Sequence, residues 1–160
     1  MDHHVVTGAA GVPGWFAAYP LILVGAWCAA LKIISRLSGW SALAETFGFP
    51  GMFEGKVYRF QSARMGPVNL NLALNLGADE SGLYLVPVFF FRLFHPPLLI
   101  PWSEIEAAPV KRFPGLRWFR LTFPSLPGAR LELPARTFEK LAPPRLLESF
   151  TPVKSTGHRA

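Results

Sequence analysis

From Phe16 to Leu31 the chain reads FAAYPLILVGAWCAAL, sixteen positions without a charge, and Lys32 and Arg36 come directly after. A helix needs about 20 mostly apolar residues to cross about 30 Å of hydrocarbon. Trp15 to Leu37 supplies them if Lys32 reaches toward the headgroups. A soluble protein would need a large core to hide a helix that is apolar all round, and this chain is short. A cleaved signal peptide carries positive charge before its apolar core, yet the leader MDHHVVTGAAGVPG has none. A lipoprotein signal fits no better, because Trp27 stands before Cys28 where a small residue is wanted. The expectation is a short extracytoplasmic leader over residues 1–14 and one uncleaved transmembrane helix over 15–37.

The flanking charges orient that helix. Lysine and arginine accumulate on the cytoplasmic side of spanning helices, and none precedes the apolar run. The chain is therefore expected in the cell (inner) membrane as a single-pass protein, N-terminus outside and C-terminal domain cytoplasmic. Trp15 and Tyr19 would sit at the outer interface and Trp40 at the inner one. Gly25 with Ala29, and Ala26 with Ala30, make small-xxx-small pairs that would suit a weak homodimer or simply face lipid.

A second apolar stretch, Leu83 to Trp102, is also long enough to span. Arg92 at its centre would cost about 2.5 to 3.5 kcal/mol on insertion scales. Pro87, Pro96, Pro97 and Pro101 would break or strain a helix as well. Two buried strands, Leu83–Phe91 and Leu98–Trp102, joined near His95-Pro96-Pro97, are the better reading.

Beyond the anchor the chain alternates like a sheet. Residues 38–54 read as a short amphipathic helix, Ser38 to Phe47, and a linker closed by Pro50-Gly51. Lys56–Gln61 is a first strand. In VNLNLALNL, Val68, Leu70, Leu72, Leu74 and Leu76 share one face and Asn69, Asn71, Ala73 and Asn75 the other, the period-two signature of a half-buried strand. That asparagine face reads either as a solvated side or as a polar groove. GADESG turns the chain, and strands are expected again over Ala107–Phe113, Trp118–Phe123 and Arg130–Leu133. A short helix over Arg136 to Leu141 ends at Pro143-Pro144, with a further turn over Arg145–Phe150. The tail 151–160 has no core-forming pattern and reads as disordered.

Ser81-Gly82-Leu83-Tyr84-Leu85 and Leu99-Ile100-Pro101-Trp102-Ser103-Glu104-Ile105 carry a resemblance to the small bacterial PH-like (GRAM-like) domains. Those domains pair a glycine–aliphatic–aromatic strand start with an Ile-x-Trp-x-x-Ile segment. The resemblance implies an α+β fold, mainly antiparallel β, over residues 55–150: a partly open PH-like barrel or sandwich closed by a short C-terminal helix.

No catalytic constellation accompanies this pattern. His3, His4, His95 and His158 stand at no metal-ligand spacing beside a carboxylate or thiolate. Cys28 lies in the anchor, and no glycine-rich phosphate loop occurs. Glu104 and Glu106 would share a face in a strand, but in a turn they only solvate it, and no nucleophile or base accompanies them. The chain therefore reads as a non-enzyme without cofactor or metal.

Formal net charge is +6, carried from Lys32 onward. The densest part is Lys111, Arg112, Arg117 and Arg120, interleaved with Phe113, Trp118 and Phe119 around Pro114-Gly115. Cations with aromatics suit an anionic headgroup surface. They also suit a hairpin whose rings pack inward while its charges keep an edge soluble. Nucleic acid would accept the mixture too, but a domain starting within a few residues of the bilayer favours lipid. The expected function is a non-catalytic membrane-surface or interaction module, with Lys111, Arg112, Arg117, Trp118 and Arg120 at its contact. The alternative is a scaffold or assembly subunit that binds a protein partner at a membrane complex.

Overall fold

The structure, a computed structural model, describes residues 14–112 and 115–150, with side chains from Ala18 onward. The leader, the C-terminal tail, the Trp15 ring and the Phe113-Pro114 half of the basic hairpin lie outside the described residues.

Helix α1 (Gly14–Leu37) carries the apolar run. Its Ala18–Leu37 portion is long and apolar enough to cross a membrane. Tyr19, Leu21, Ile22, Leu23 and Val24 are all exposed. Among its described side chains, the buried stripe lies near the C-terminal end: Leu31, Ser35 and Ser38, spaced four and three apart so that they share a face. Gly25, Ala26, Ala29 and Ala30 remain exposed. Gly39, at φ 80°, ends α1 and turns the chain into α2 (Trp40–Phe47), which buries Trp40 and Leu43 completely.

The rest of the domain is built on seven strands: β1 (Lys56–Met65), β2 (Val68–Ala78), β3 (Gly82–Pro87), β4 (Leu98–Pro101), β5 (Glu106–Arg112), β6 (Leu116–Thr122) and β7 (Arg130–Pro134). They form one antiparallel sheet in the order β4-β3-β2-β1-β7-β6-β5. The sheet curls into a half-barrel around Met65, Leu74, Leu76, Leu83, Leu85, Ile100, Phe119, Leu121, Leu131 and Leu133. Helices α3 (Ala135–Leu141) and α4 (Pro144–Glu148) close it, with Phe138 packed 4.5 Å from Phe119. This α+β architecture agrees with the expected fold class and is compatible with a PH-like fold.

The two motif segments are tied together. Trp102 donates from Nε1 to the Asp79 carbonyl at 2.8 Å, and Asp79 Oδ1 accepts from the Ser81 and Gly82 backbone N–H groups. Gly82 is required by close approach, since a β-carbon there would stand 2.2 Å from the Ile100 carbonyl oxygen.

The curl overrides the regular alternation read from sequence. Phe60 and Leu72 have φ of 53° and 52°, at a bulge where the β1–β2 register shifts. Their freed N–H groups donate to Asn75 Oδ1 and Ser62 Oγ. As a result Leu72 faces solvent instead of sharing the buried face with Leu74 and Leu76. The expected strand Leu83–Phe91 is shorter too. It ends at Pro87, and Phe89–Phe91 form a single 3-10 turn with Phe89 and Phe90 exposed.

Three connections converge on the C-terminal end of α1. In the β1–β2 turn, a β-carbon at Gly66 would lie 3.5 Å from the Leu37 carbonyl oxygen. In the β3–β4 loop, Ser35 Oγ donates to the Phe94 carbonyl and Trp40 Nε1 to that of Pro96. In the β6–β7 turn, Ala129 lies against Gly39.

Candidate functional site

Strand alternation divides the expected basic cluster between two faces. Lys111 and Arg117 pair in register at the far end of β5 and β6, exposed, on the side of the sheet that carries Phe119 and Leu121. Arg112, Trp118 and Arg120 point to the opposite, outer face. Arg112 and Glu106 are the two ends of the seven-residue strand β5, six steps or about 20 Å apart at strand rise. Glu106 is registered through Thr122 to Arg130, whose carbonyl accepts the Gly66 N–H. The paired strand ends Arg112 and Leu116 thus lie away from the α1 end of the domain.

On the outer face a different group comes together. Arg64, Glu132 and Arg120 stand in one cross-strand row over β1, β7 and β6. Arg120 Nε donates to Glu132 Oε1 at 3.0 Å, and Arg112 Nη2 to Glu132 Oε2 at 2.5 Å. These are the ion pairs among the described residues. Arg112 also lies 5.8 Å over the Trp118 ring. Arg64, Gly66, Arg112, Arg120, Arg130 and Glu132 line a cleft of about 230 Å³. Four guanidinium groups around one carboxylate leave it with three positive charges in excess.

Glu132 is the organiser. It is 7% exposed. Burial pushes its carboxyl upward, but hydrogen bonds and charge from Arg120 and Arg112 outweigh this and hold it below its ordinary value of 4.5. Arg112 and Arg120 are therefore half occupied with Glu132. Arg64 uses Nε on the Gly66 carbonyl at 3.1 Å, leaving the rest of its fork to the cleft, and Arg130 is exposed at the rim.

Of the arginines lining this cleft, the sequence reading named Arg112 and Arg120 but not Arg64 and Arg130. The only signal was an arginine near the end of β1 and another at the start of β7, and pairing of these distant strands was not visible. Among the described residues, no group of three or more His, Cys, Asp or Glu is placed to hold a metal. Glu104 accepts from Ser125 Oγ in a 3-10 turn, and Glu106 begins β5.

Comparison with known proteins finds no matching family model, no matching curated protein and no matching solved structure.

Proposed function

We propose that the chain is a single-pass, non-catalytic membrane-surface module: α1 spans the cell membrane, a PH-like domain lies on the cytoplasmic side, and the arginine cleft receives an anionic lipid headgroup. The carrying observation is the position of the cleft. Its wall, Gly66, packs against the Leu37 and Ser38 carbonyls, where α1 leaves its apolar stretch. A headgroup phosphate of the inner leaflet would lie at that level. Arginine forks match phosphate oxygens bidentately, and each cation near an anionic leaflet contributes roughly 1 kcal/mol. Lys111 and Arg117, at the far end, are given no headgroup role.

Retention of α1 as a spanning helix is supported by its buried stripe. Leu31, Ser35 and Ser38 pack into the domain, so a cleavage that removed them would unseat the β3–β4 loop. Lys32 and Arg36, both exposed at the domain end of α1, support the cytoplasmic orientation.

Native mass spectrometry of the full-length chain, released from detergent containing phosphatidylglycerol, tests the headgroup reading. One bound anionic lipid is expected, lost in Arg64→Gln/Arg130→Gln and kept in Lys111→Gln/Arg117→Gln. Equal lipid retention by both double variants would overturn it. If the wild-type chain carries no lipid and the cleft variant loses a co-purifying protein, the scaffold function replaces this one.

A further inference from the structure

The β3–β4 loop exposes a run of large apolar side chains. Phe89 is 79% exposed, Phe90 74%, Leu93 49% and Phe94 44%. Single exposed apolar residues are ordinary, but four within six positions mark an interaction surface.

The loop is held rigidly in this state. Phe91 and Arg92 N–H donate to the Val88 and Phe89 carbonyls, and His95 N–H to that of Arg92. His95 is buried against Trp40, ring centroids 5.5 Å apart, and its Nδ1 contacts the Leu93 carbonyl at 3.1 Å. Phe94 sits at φ 64°, a conformation that a bulky side chain adopts only when its surroundings impose it. With this backbone Phe94 stays 44% exposed.

The position of the loop identifies the occupant. Phe91 meets Trp27 at 5.8 Å between ring centroids, and the Phe94 carbonyl accepts from Ser35. From Trp27 to Ser35 is eight residues, about 12 Å of helix, so the loop runs alongside the apolar helix instead of below it. Trp27 precedes Lys32, the first cation of α1, by five residues, or about 7.5 Å. Interfacial elements bury their apolar face about 5–10 Å into the headgroup–acyl boundary. Arg92, exposed amid these rings, can extend its guanidinium back to the phosphates.

We propose that Phe89, Phe90, Leu93 and Phe94 form a second, shallow membrane-insertion element, entering the leaflet from which α1 emerges and fixing the tilt of the domain on the bilayer. This rests on α1 spanning the membrane. Helix and loop, bonded through Ser35, act as one unit in which the helix supplies affinity and the loop orientation.

The test uses the full-length chain in mixed phosphatidylcholine–phosphatidylglycerol vesicles, with an environment-sensitive fluorophore on single cysteines in a Cys28→Ser background. Phe90→Cys reports the loop, Leu21→Cys the helix and Asn71→Cys the sheet. Expected are blue-shifted emission and quenching by acyl-chain nitroxide at Phe90→Cys and Leu21→Cys, with aqueous iodide quenching only Asn71→Cys. Quenching of Phe90→Cys by iodide while Leu21→Cys stays lipid-quenched would overturn the insertion and leave the spanning helix intact. Shielding of Phe90→Cys from both quenchers would overturn it in favour of a second copy or another protein. Iodide quenching at all three positions would remove the spanning helix and the insertion together.

Discussion

The Ser35 hydroxyl donates to the Phe94 carbonyl at 2.9 Å across fifty-nine residues of chain. This bond joins the apolar helix to the loop that the sheet projects beside it. Ser35 is 3% exposed, so its hydroxyl would be costly to leave without this partner.

Ser35→Ala should therefore loosen the loop without unfolding the sheet. The expected loss is about 0.5–1.5 kcal/mol, read as faster amide hydrogen exchange over residues 88–96 and unchanged protection in β1 and β2.

His95 gives that loop a pH dependence. Burial pushes its imidazole below the ordinary 6.5, although carbonyl contacts to Leu93 and Phe91 pull upward. The unfolded chain then binds the proton first. Stability is complete above about pH 6.5 and falls as pH drops from there through the lower folded value. Thermal melts between pH 7.5 and 5.5 should show a decline that His95→Gln flattens.

Glu132→Gln leaves the four arginines of the cleft facing one another without a carboxylate. Stability should fall by about 1.5–3 kcal/mol, the range for hydrogen bonds to charged groups, while anionic lipid is retained more strongly. The wild-type contribution has its own window. The carboxyl is held below 4.5, so its share is full above that value and is lost as pH falls through the folded value. Melting temperatures of the two proteins should converge as pH falls below 4.5 and through the folded value.

Gly82→Ala should be among the most damaging single changes in the sheet. The new methyl would meet the Ile100 carbonyl at 2.2 Å, and backbone cannot yield as a side-chain end can. A cost of about 1–3 kcal/mol is expected, or about 4–8 °C of melting temperature per kcal/mol. Gly128→Ala, with nothing within 4 Å of its β-carbon, should leave melting nearly unchanged.

Much of the fold was legible because it rests on local pattern. The sixteen uncharged positions became α1, the Leu70–Leu76 alternation a strand, and Pro143-Pro144 the break between α3 and α4. Legibility failed where a tertiary bend replaced the regular period. Phe60 and Leu72 took left-handed backbone at the curl, and Leu72 crossed to the solvent face. It failed again at Phe89–Phe91, the end of the expected strand Leu83–Phe91, whose apolarity resembles that of a buried strand. Hydropathy counts apolar side chains but does not say what covers them.

The candidate site divides along the same line. Residue type and spacing alone determined that this chain has one helix apolar enough for a bilayer, a positive β-rich domain behind it, and a cationic aromatic hairpin. Only the tertiary structure decided which cations meet. Closure of β7 onto β1 brought Arg64 and Arg130 to Arg112 and Arg120 around Glu132, while alternation sent Lys111 and Arg117 to the other face. The physical reason is range: a helix or a strand is written in the residues next to each other, but a cleft is written in the register between strands nearly seventy residues apart.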